Sequence, residues 1–238
     1  VYNDSLRCLV FALSHGCIIR STEVVNSVKS PEALRIIHST GYLFSEADCA
    51  CAANFGNVRL LRCLHELGCP WDENTCLHAV LHKDIECLVY AHENGCPWSS
   101  STALEAVRCR NLPALTYLGE HGCPFTTQCA CLAVEQNEFT MPLLTYLHQH
   151  GCPMDESVTT NAIKHDKIGC LTCFTYARDA GCPVSADICK VATQSNRLHA
   201  LKNLHARGYK LVPVERSEHN GLCVDYINKH ITSKCCVQ

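Results

Sequence analysis

Twenty-one cysteines and fourteen histidines are the residues of this chain best equipped for chemistry. Thiolates ligate soft metals, close disulfides and act as nucleophiles; imidazoles ligate metals and move protons. Cys49-x-Cys51, Cys129-x-Cys131 and Cys170-x-x-Cys173 have the look of ligand pairs. A zinc site needs four ligands converging as a tetrahedron. Residues i and i+2 of a helix point about 200° apart, so the two C-x-C pairs diverge. Cys170 and Cys173 share a helical face, but no second pair stands at a zinc-finger distance. No metal and no cofactor are expected.

The histidines fall into a column: His38, His65, His92, His148 and His205 each stand three residues before a glycine. That is the last turn of a helix, where a cation or a carbonyl-bonding donor is favoured. The column is therefore expected to face solvent and not to ligate. No nucleophile elbow, phosphate-binding glycine loop or H-E-x-x-H helix occurs. Cysteine and histidine are so frequent that a pairing of the two carries no information. The chain is not expected to be an enzyme.

Cys235-Cys236-Val237-Gln238 matches C-a-a-X, with Gln238 favouring a farnesyl group on Cys235. Cys236 could accept a palmitoyl group, the second signal that stable anchoring requires. Upstream basic support is limited to Lys229 and Lys234. Peripheral membrane contact is expected only if Cys235 is prenylated.

The elements that position these residues follow from a repeat. Gly-Cys-Pro recurs at Gly68, Gly95, Gly122, Gly151 and Gly181, and Gly16-Cys17, Gly41-Tyr42 and Gly208-Tyr209 extend the series. A large apolar residue follows each glycine by three: Phe44, Trp71, Trp98, Phe125, Met154, Val184. Next comes a helix N-cap former, Ser45, Asp72, Ser99, Thr126, Asp155 or Ser185. Seven residues beyond the cap stands a small residue: Ala52, Ala79, Ala106, Ala133, Ala162 or Ala192, with Ser27 in the first copy. Its size lets a neighbouring helix approach closely. A second apolar pattern follows, as in Val58, Leu60, Leu61 and Leu64, with a tyrosine column at Tyr90, Tyr117, Tyr146 and Tyr176. The glycine then ends the second helix in the left-handed conformation that suits it.

The unit is helix, tight turn, helix, loop. Helices of roughly eight to ten residues are too short to stand alone, so stacking must bury their apolar faces. An all-α helical repeat solenoid is expected, as a single array over residues 1–238. A half repeat occupies 1–20, and repeats span 21–44, 45–71, 72–98, 99–125, 126–154, 155–184 and 185–211. Residues 212–238 form a capping repeat and tail, with a closing helix over Leu222 to His230. Extra residues at Phe139-Thr140-Met141-Pro142 and from Cys170 to Phe174 are expected as loops or bulges.

Ala52-Ala53-Asn54-Phe55-Gly56-Asn57-Val58, followed by Leu60-Leu61, Leu64 and Gly68, resembles the core of the ankyrin repeat. The usual ankyrin unit of about 33 residues carries a β-finger. Here Gly-Cys-Pro-Trp-Asp stands where the finger would begin, as in the short ankyrin-like repeats of protists and giant viruses. The resemblance implies a scaffold that binds another protein, with little or no finger.

Equivalent cysteines of neighbouring repeats lie about one helix spacing apart, roughly 8–10 Å, beyond the ~7 Å between Cα atoms that a disulfide spans. Cys69, Cys96, Cys123, Cys152 and Cys182 are therefore expected as small buried hydrophobes. Hydrophobic residues make up 47% of the chain and charged residues 18%, and the formal net charge is −3. With no basic stripe seen, nucleic acid is not expected as a partner. No apolar run reaches the ~18 residues of a membrane span. Leu9 to Leu13 is too short for an intact signal peptide.

The exposed, variable positions are the two after the small pair: Asn54-Phe55, Leu81-His82, Arg108-Cys109, Glu135-Gln136 and Lys164-His165. They are the candidate contacts to a partner protein. A cytoplasmic adaptor is the leading expectation. A secreted or injected effector acting in a host cytoplasm is a second, raised by the start at Val1 and the occurrence of the resembled family. A membrane-tethered adaptor anchored through Cys235 is a third, and a thiol-redox sensor with an exposed low-pKa cysteine a fourth.

Overall fold

The computed structural model describes residues 30–136, 140–165 and 171–235, together with 8, 10–12, 15, 25 and 28. The 1–20 half repeat, Gly16-Cys17, Ser27, Phe139, Cys170 and Cys236-Val237-Gln238 lie wholly or largely outside these. Helices are the regular structure of the described residues, and they alternate as the repeat requires. The first helices of successive repeats are α2 (Glu46–Asn54), α4 (Glu73–Ala79), α6 (Ser100–Arg108), α8 (Thr127–Glu135), α10 (Glu156–His165) and α12 (Ile188–Gln194). The second helices are α1 (Pro31–Ser39), α3 (Val58–Glu66), α5 (Glu86–Glu93), α7 (Leu112–Glu120), α9 (Thr140–Gln149), α11 (Thr172–Asp179) and α13 (Leu198–Ala206). Helix α14 (Gly221–Cys235) closes the chain, longer than the segment read from sequence, with Cys235 as its last residue. The fold is an all-α helical repeat solenoid.

The chain divides into two compact units, residues 1–124 and 125–238. In the first, α2 packs on α4, α4 on α6, and α3 on α5. In the second, α8 packs on α10 and α10 on α12. The small column makes this approach possible: Ala52, Ala79, Ala106, Ala133 and Ala192 are fully buried, and Ala162 nearly so. Leucines from the second helices, such as Leu61, Leu88 and Leu115 in the first unit and Leu144 in the second, fill the core behind them.

Gly-Cys-Pro now has a local explanation. Gly68 has φ +77° and donates its N–H to His65 O, while Cys69 N–H reaches back to Leu64 O at 3.0 Å. These two bonds are the Schellman stop of a helix, with glycine in the left-handed position and cysteine one residue beyond. Cys96, Cys123, Cys152 and Cys182 close the same bond onto Ala91, Leu118, Leu147 and Ala177. Proline follows because the chain must not continue as helix. The N-cap column works as its residue types imply at Asp72, Ser99 and Asp155, which accept from Asn74, Ser101 and Ser157 N–H. Thr126 makes no such bond. Ser45 is capped in reverse: the Asp48 carboxylate accepts its backbone N–H at 2.8 Å.

Both extra-residue expectations change. Thr140, Met141 and Pro142 form the first turn of α9 and no loop, proline being tolerated where helix N–H groups have no partner. Within the second extra segment, Leu171 takes φ +54° and Thr172 to Phe174 form the first turn of α11 and no loop.

Candidate functional site

Most of the thiols are packed inside, Cys8 and Cys109 being exposed, and the buried ones do more than fill space. None of the cysteines whose side chains are described is in a disulfide. Cys69 Sγ donates to Ser45 O at 3.1 Å, Cys96 to Asp72 O at 3.2 Å and Cys123 to Ser99 O at 3.4 Å. In the second unit Cys152 donates to Thr126 O at 3.2 Å. Each thiol thus reaches from the loop after a second helix to the carbonyl that opens its own repeat's first helix. Burial, first, and the surrounding thiols push Cys152 up to about 12. Burial likewise raises Cys87 to about 12 and Cys189 to about 11. Protonated thiols of this kind are poor nucleophiles and poor metal ligands. No group of three or more metal-ligating side chains occurs among the described residues.

The histidine column is not a solvated surface. Four of its members are half-buried and bonded to a tyrosine of the next second helix or, for His205, of α14. His65 Nδ1 lies 3.0 Å from the Tyr90 hydroxyl and His92 Nδ1 3.0 Å from Tyr117. In the second unit His148 meets Tyr176 at 3.0 Å and His205 meets Tyr226 at 2.9 Å. A neutral imidazole protonated on Nε2 accepts the phenolic O–H in this geometry. The ring also stacks within its own repeat, His65 on Trp71 at 3.9 Å and His92 on Trp98 at 3.8 Å. Histidine, tryptophan and tyrosine form one rung of a ladder between neighbours.

Burial and, secondly, the nearby His121 hold the His92 pKa below the usual histidine value, against the opposing pull of Glu93. The ordinary value of about 6.5 applies when the chain is unfolded. Below it the unfolded chain binds a proton that the folded His92 refuses. Stability should therefore fall as pH drops through that value, and level off below the lowered folded pKa. Urea unfolding from pH 7.5 to 5, compared between the native chain and His92→Gln, checks this. A smaller pH dependence is expected in the variant.

The candidate contacts lie at the tight turns, and in the first unit these turns are tied together. The His82 imidazole bonds Asn54 O through Nε2 and stands over Gly56, where a Cβ would come within 3.0 Å of its ring. Gly56 has φ +63°, so both its backbone and its neighbour call for glycine. Asn111, from the next repeat, is buried and donates its side-chain amide to Val80 O at 2.8 Å and to His82 O. Its Oδ1 accepts Ala114 N–H at 3.1 Å, so one side chain caps α7 and fastens the preceding turn.

On this framework Phe55 is 48% exposed and Leu81 39%, a short apolar row on successive turns where Asn54, Arg108 and Cys109 are also exposed; Leu112, 37% exposed, is the first residue of α7. Arg108 pairs with Glu105 at 3.1 Å. The Cys109 thiol is raised by burial and by Glu105 and is no activated nucleophile. A groove of about 520 Å³ adjoins the row at Asn54, with Glu46, Asp72, Asn74 and His78 among its walls. Sequence reasoning missed this groove, although exposed polar residues on consecutive first helices were its signal.

The second unit is different. Glu135 and His165 face each other at 3.7 Å, and Lys164 gives its carbonyl to Arg197 at 2.8 Å. Lys164 is exposed, but Gln136, expected at the surface, is buried at 9% exposure. Gln136 keeps the register of its column, three residues after the buried Ala133, and the extra residues of its copy follow it, so its burial is not a shift of register.

No protein-family model matches the chain, and no curated protein does. Among solved structures it is similar to the pentatricopeptide repeat protein PPR10 in complex with an 18-nt psaJ RNA element, at 12% identity and a TM-score of 0.36. A cysteine-to-serine variant of that protein with the same RNA element gives the same identity and TM-score. The match covers 98% of this chain and 47% of the other, so the chain spans about half the length of the structures it resembles. Those structures hold an RNA element. The exclusion of nucleic acid as a partner of this chain is withdrawn on the distribution of its own charges. The physical fault lay in arguing from a net charge of −3, which averages two unlike regions. Residues 45–124 hold ten acidic against five basic side chains, whereas residues 188–238 hold three acidic against eight basic.

Proposed function

We propose that the chain is a non-enzymatic binding scaffold built from short ankyrin-type repeats, and that the first unit takes a partner protein. The observation that carries this reading is the row of Phe55 and Leu81, exposed on turns that His82 and Asn111 hold in place. Large apolar side chains presented by a rigid backbone are the anchors that protein interfaces use. The neighbouring groove, with Glu46 and Asp72 on its walls, suits a basic segment beside an apolar anchor.

Phe55→Ser with Leu81→Ser should leave unfolding unchanged to within about 0.5 kcal/mol, since both are surface residues. It should weaken partner binding at least tenfold. Affinity capture from the source cells, compared between native chain and double variant with and without ribonuclease, reads this out. Retention of the same proteins by the variant rejects the assignment, and so does their loss on ribonuclease treatment alone.

A further inference from the structure

The basic excess of residues 188–238 has a place in the fold. A cleft of about 560 Å³ opens between the loop after α13 and helix α14, with His205, Tyr209, Lys210, Leu211, Pro213 and His230 among its walls. Behind it Tyr226 joins the two elements. Its hydroxyl meets His205 at 2.9 Å, its ring lies 4.2 Å from that of His230, and the Lys202 ammonium stands 5.8 Å from its centroid. Lys202, Arg207, Lys210 and Lys229 are exposed, and none forms an ion pair among the described residues. Of the three acidic residues of this region, Asp225 is paired with Arg216 at 2.6 Å, and Glu215 and Glu218 are exposed on the segment between Pro213 and α14.

We infer that this cleft binds single-stranded nucleic acid, with Lys210 of its wall and Lys202, beside Tyr226 behind it, on phosphates and Tyr209 and His230 against a base. The argument rests on charge and ring placement in the second unit and is independent of the protein-binding row in the first. Cations beside aromatic rings, Lys210 next to Tyr209 and Lys202 over Tyr226, match a ligand in which phosphates alternate with flat bases. A duplex keeps its bases stacked inside, and a recessed cleft of ligand size cannot reach them. An acidic protein segment would use the cations and leave the rings without a role. A membrane would need a protruding apolar face, whereas this site is concave.

The test is fluorescence anisotropy of the full chain with a fluorescein-labelled oligouridylate, titrated at several salt concentrations. Lys202→Glu with Lys210→Glu should weaken binding at least tenfold. The slope of log affinity against log salt should become shallower by about 1.4, the share of two phosphate contacts on a single strand. Lys202→Gln with Lys210→Gln should give the same change of slope with a smaller loss, which guards against a charge-reversed chain that fails to fold. Tyr209→Leu should weaken binding and leave the slope alone. Arg59→Glu with Lys83→Glu, in the first unit, should change neither. No binding at the lowest salt overturns the inference, as does unchanged affinity in the folded glutamine variant. Phosphatidylserine vesicles that bind through Lys202 and Lys210 while the oligonucleotide does not would also overturn it.

Discussion

Replacing Cys69, Cys96, Cys123 and Cys152 together by alanine is expected to cost about 4–6 kcal/mol of unfolding free energy. Each change removes a buried sulfur and a thiol-to-carbonyl bond, together worth about 1–1.5 kcal/mol by analogy with a buried methylene and a weak hydrogen bond. The sites belong to different repeats and share no partner, so the costs should nearly add. Serine separates the two contributions. If the cysteines were only small hydrophobes, four serines would be worse than four alanines, since each buries a hydroxyl. If the bonds to Ser45, Asp72, Ser99 and Thr126 carbonyls matter, serine keeps a donor and should be no worse than alanine. Urea unfolding of the three chains, each kept reduced, decides between them.

Asn111→Ala should be the most damaging single polar substitution in the first unit, at about 3 kcal/mol. The side chain is 3% exposed and serves three backbone groups: Val80 O, His82 O and Ala114 N–H. Alanine leaves buried carbonyls and the first turn of α7 without it, and each unmet buried group costs about 1–3 kcal/mol. The loss also has a local signature. Asn111→Asp retains the acceptor for Ala114 but offers no donor to the turn. It should loosen the Leu81–His82 turn more than it loosens α7, read as amide hydrogen exchange at those two places. Equal protection of the turn in the native chain and in the Asn111→Asp variant would contradict the fastening role.

The parts legible in the sequence are those fixed by neighbours within a few residues. Gly68 and Cys69 announce a helix stop because the left-handed residue and the bond to Leu64 O are both local. Asp72 and Ser99 announce helix starts for the same reason. The small column could be read because steric fit at a fixed helical position admits little besides alanine. What escaped was pairing between repeats. The histidine and tyrosine columns were both visible, but their meeting, His65 with Tyr90 or His92 with Tyr117, is set by how one helix pair lies on the next. A half-turn of difference would have left the imidazole in water, as its place in the last helical turn implied. Gln136 escaped because its column is exposed at Phe55 and Cys109 in the copies before it, and its own burial is set by neighbours outside its repeat register. The basic cleft escaped because net charge was taken over the whole chain, while eight of its twenty Lys and Arg residues crowd into residues 188–238.

The columns also separate framework from display. His82 holds one of the variable positions, yet its ring is committed to Asn54 O and to covering Gly56. Phe55 and Leu81 carry no comparable internal duty that would explain keeping large apolar groups in water. Single exposed apolar residues are ordinary on protein surfaces, but successive ones on tied turns form a row that a partner can cover.

Site-specific photo-crosslinking tests this most directly. A benzophenone amino acid placed at position 55 or 81, and at position 120 on α7 as a control, is irradiated in the source cells. Covalent adducts of one and the same protein from positions 55 and 81, with none from 120, are the expected result. Adducts to no protein at 55 and 81, or equal adducts from all three positions, would contradict the account.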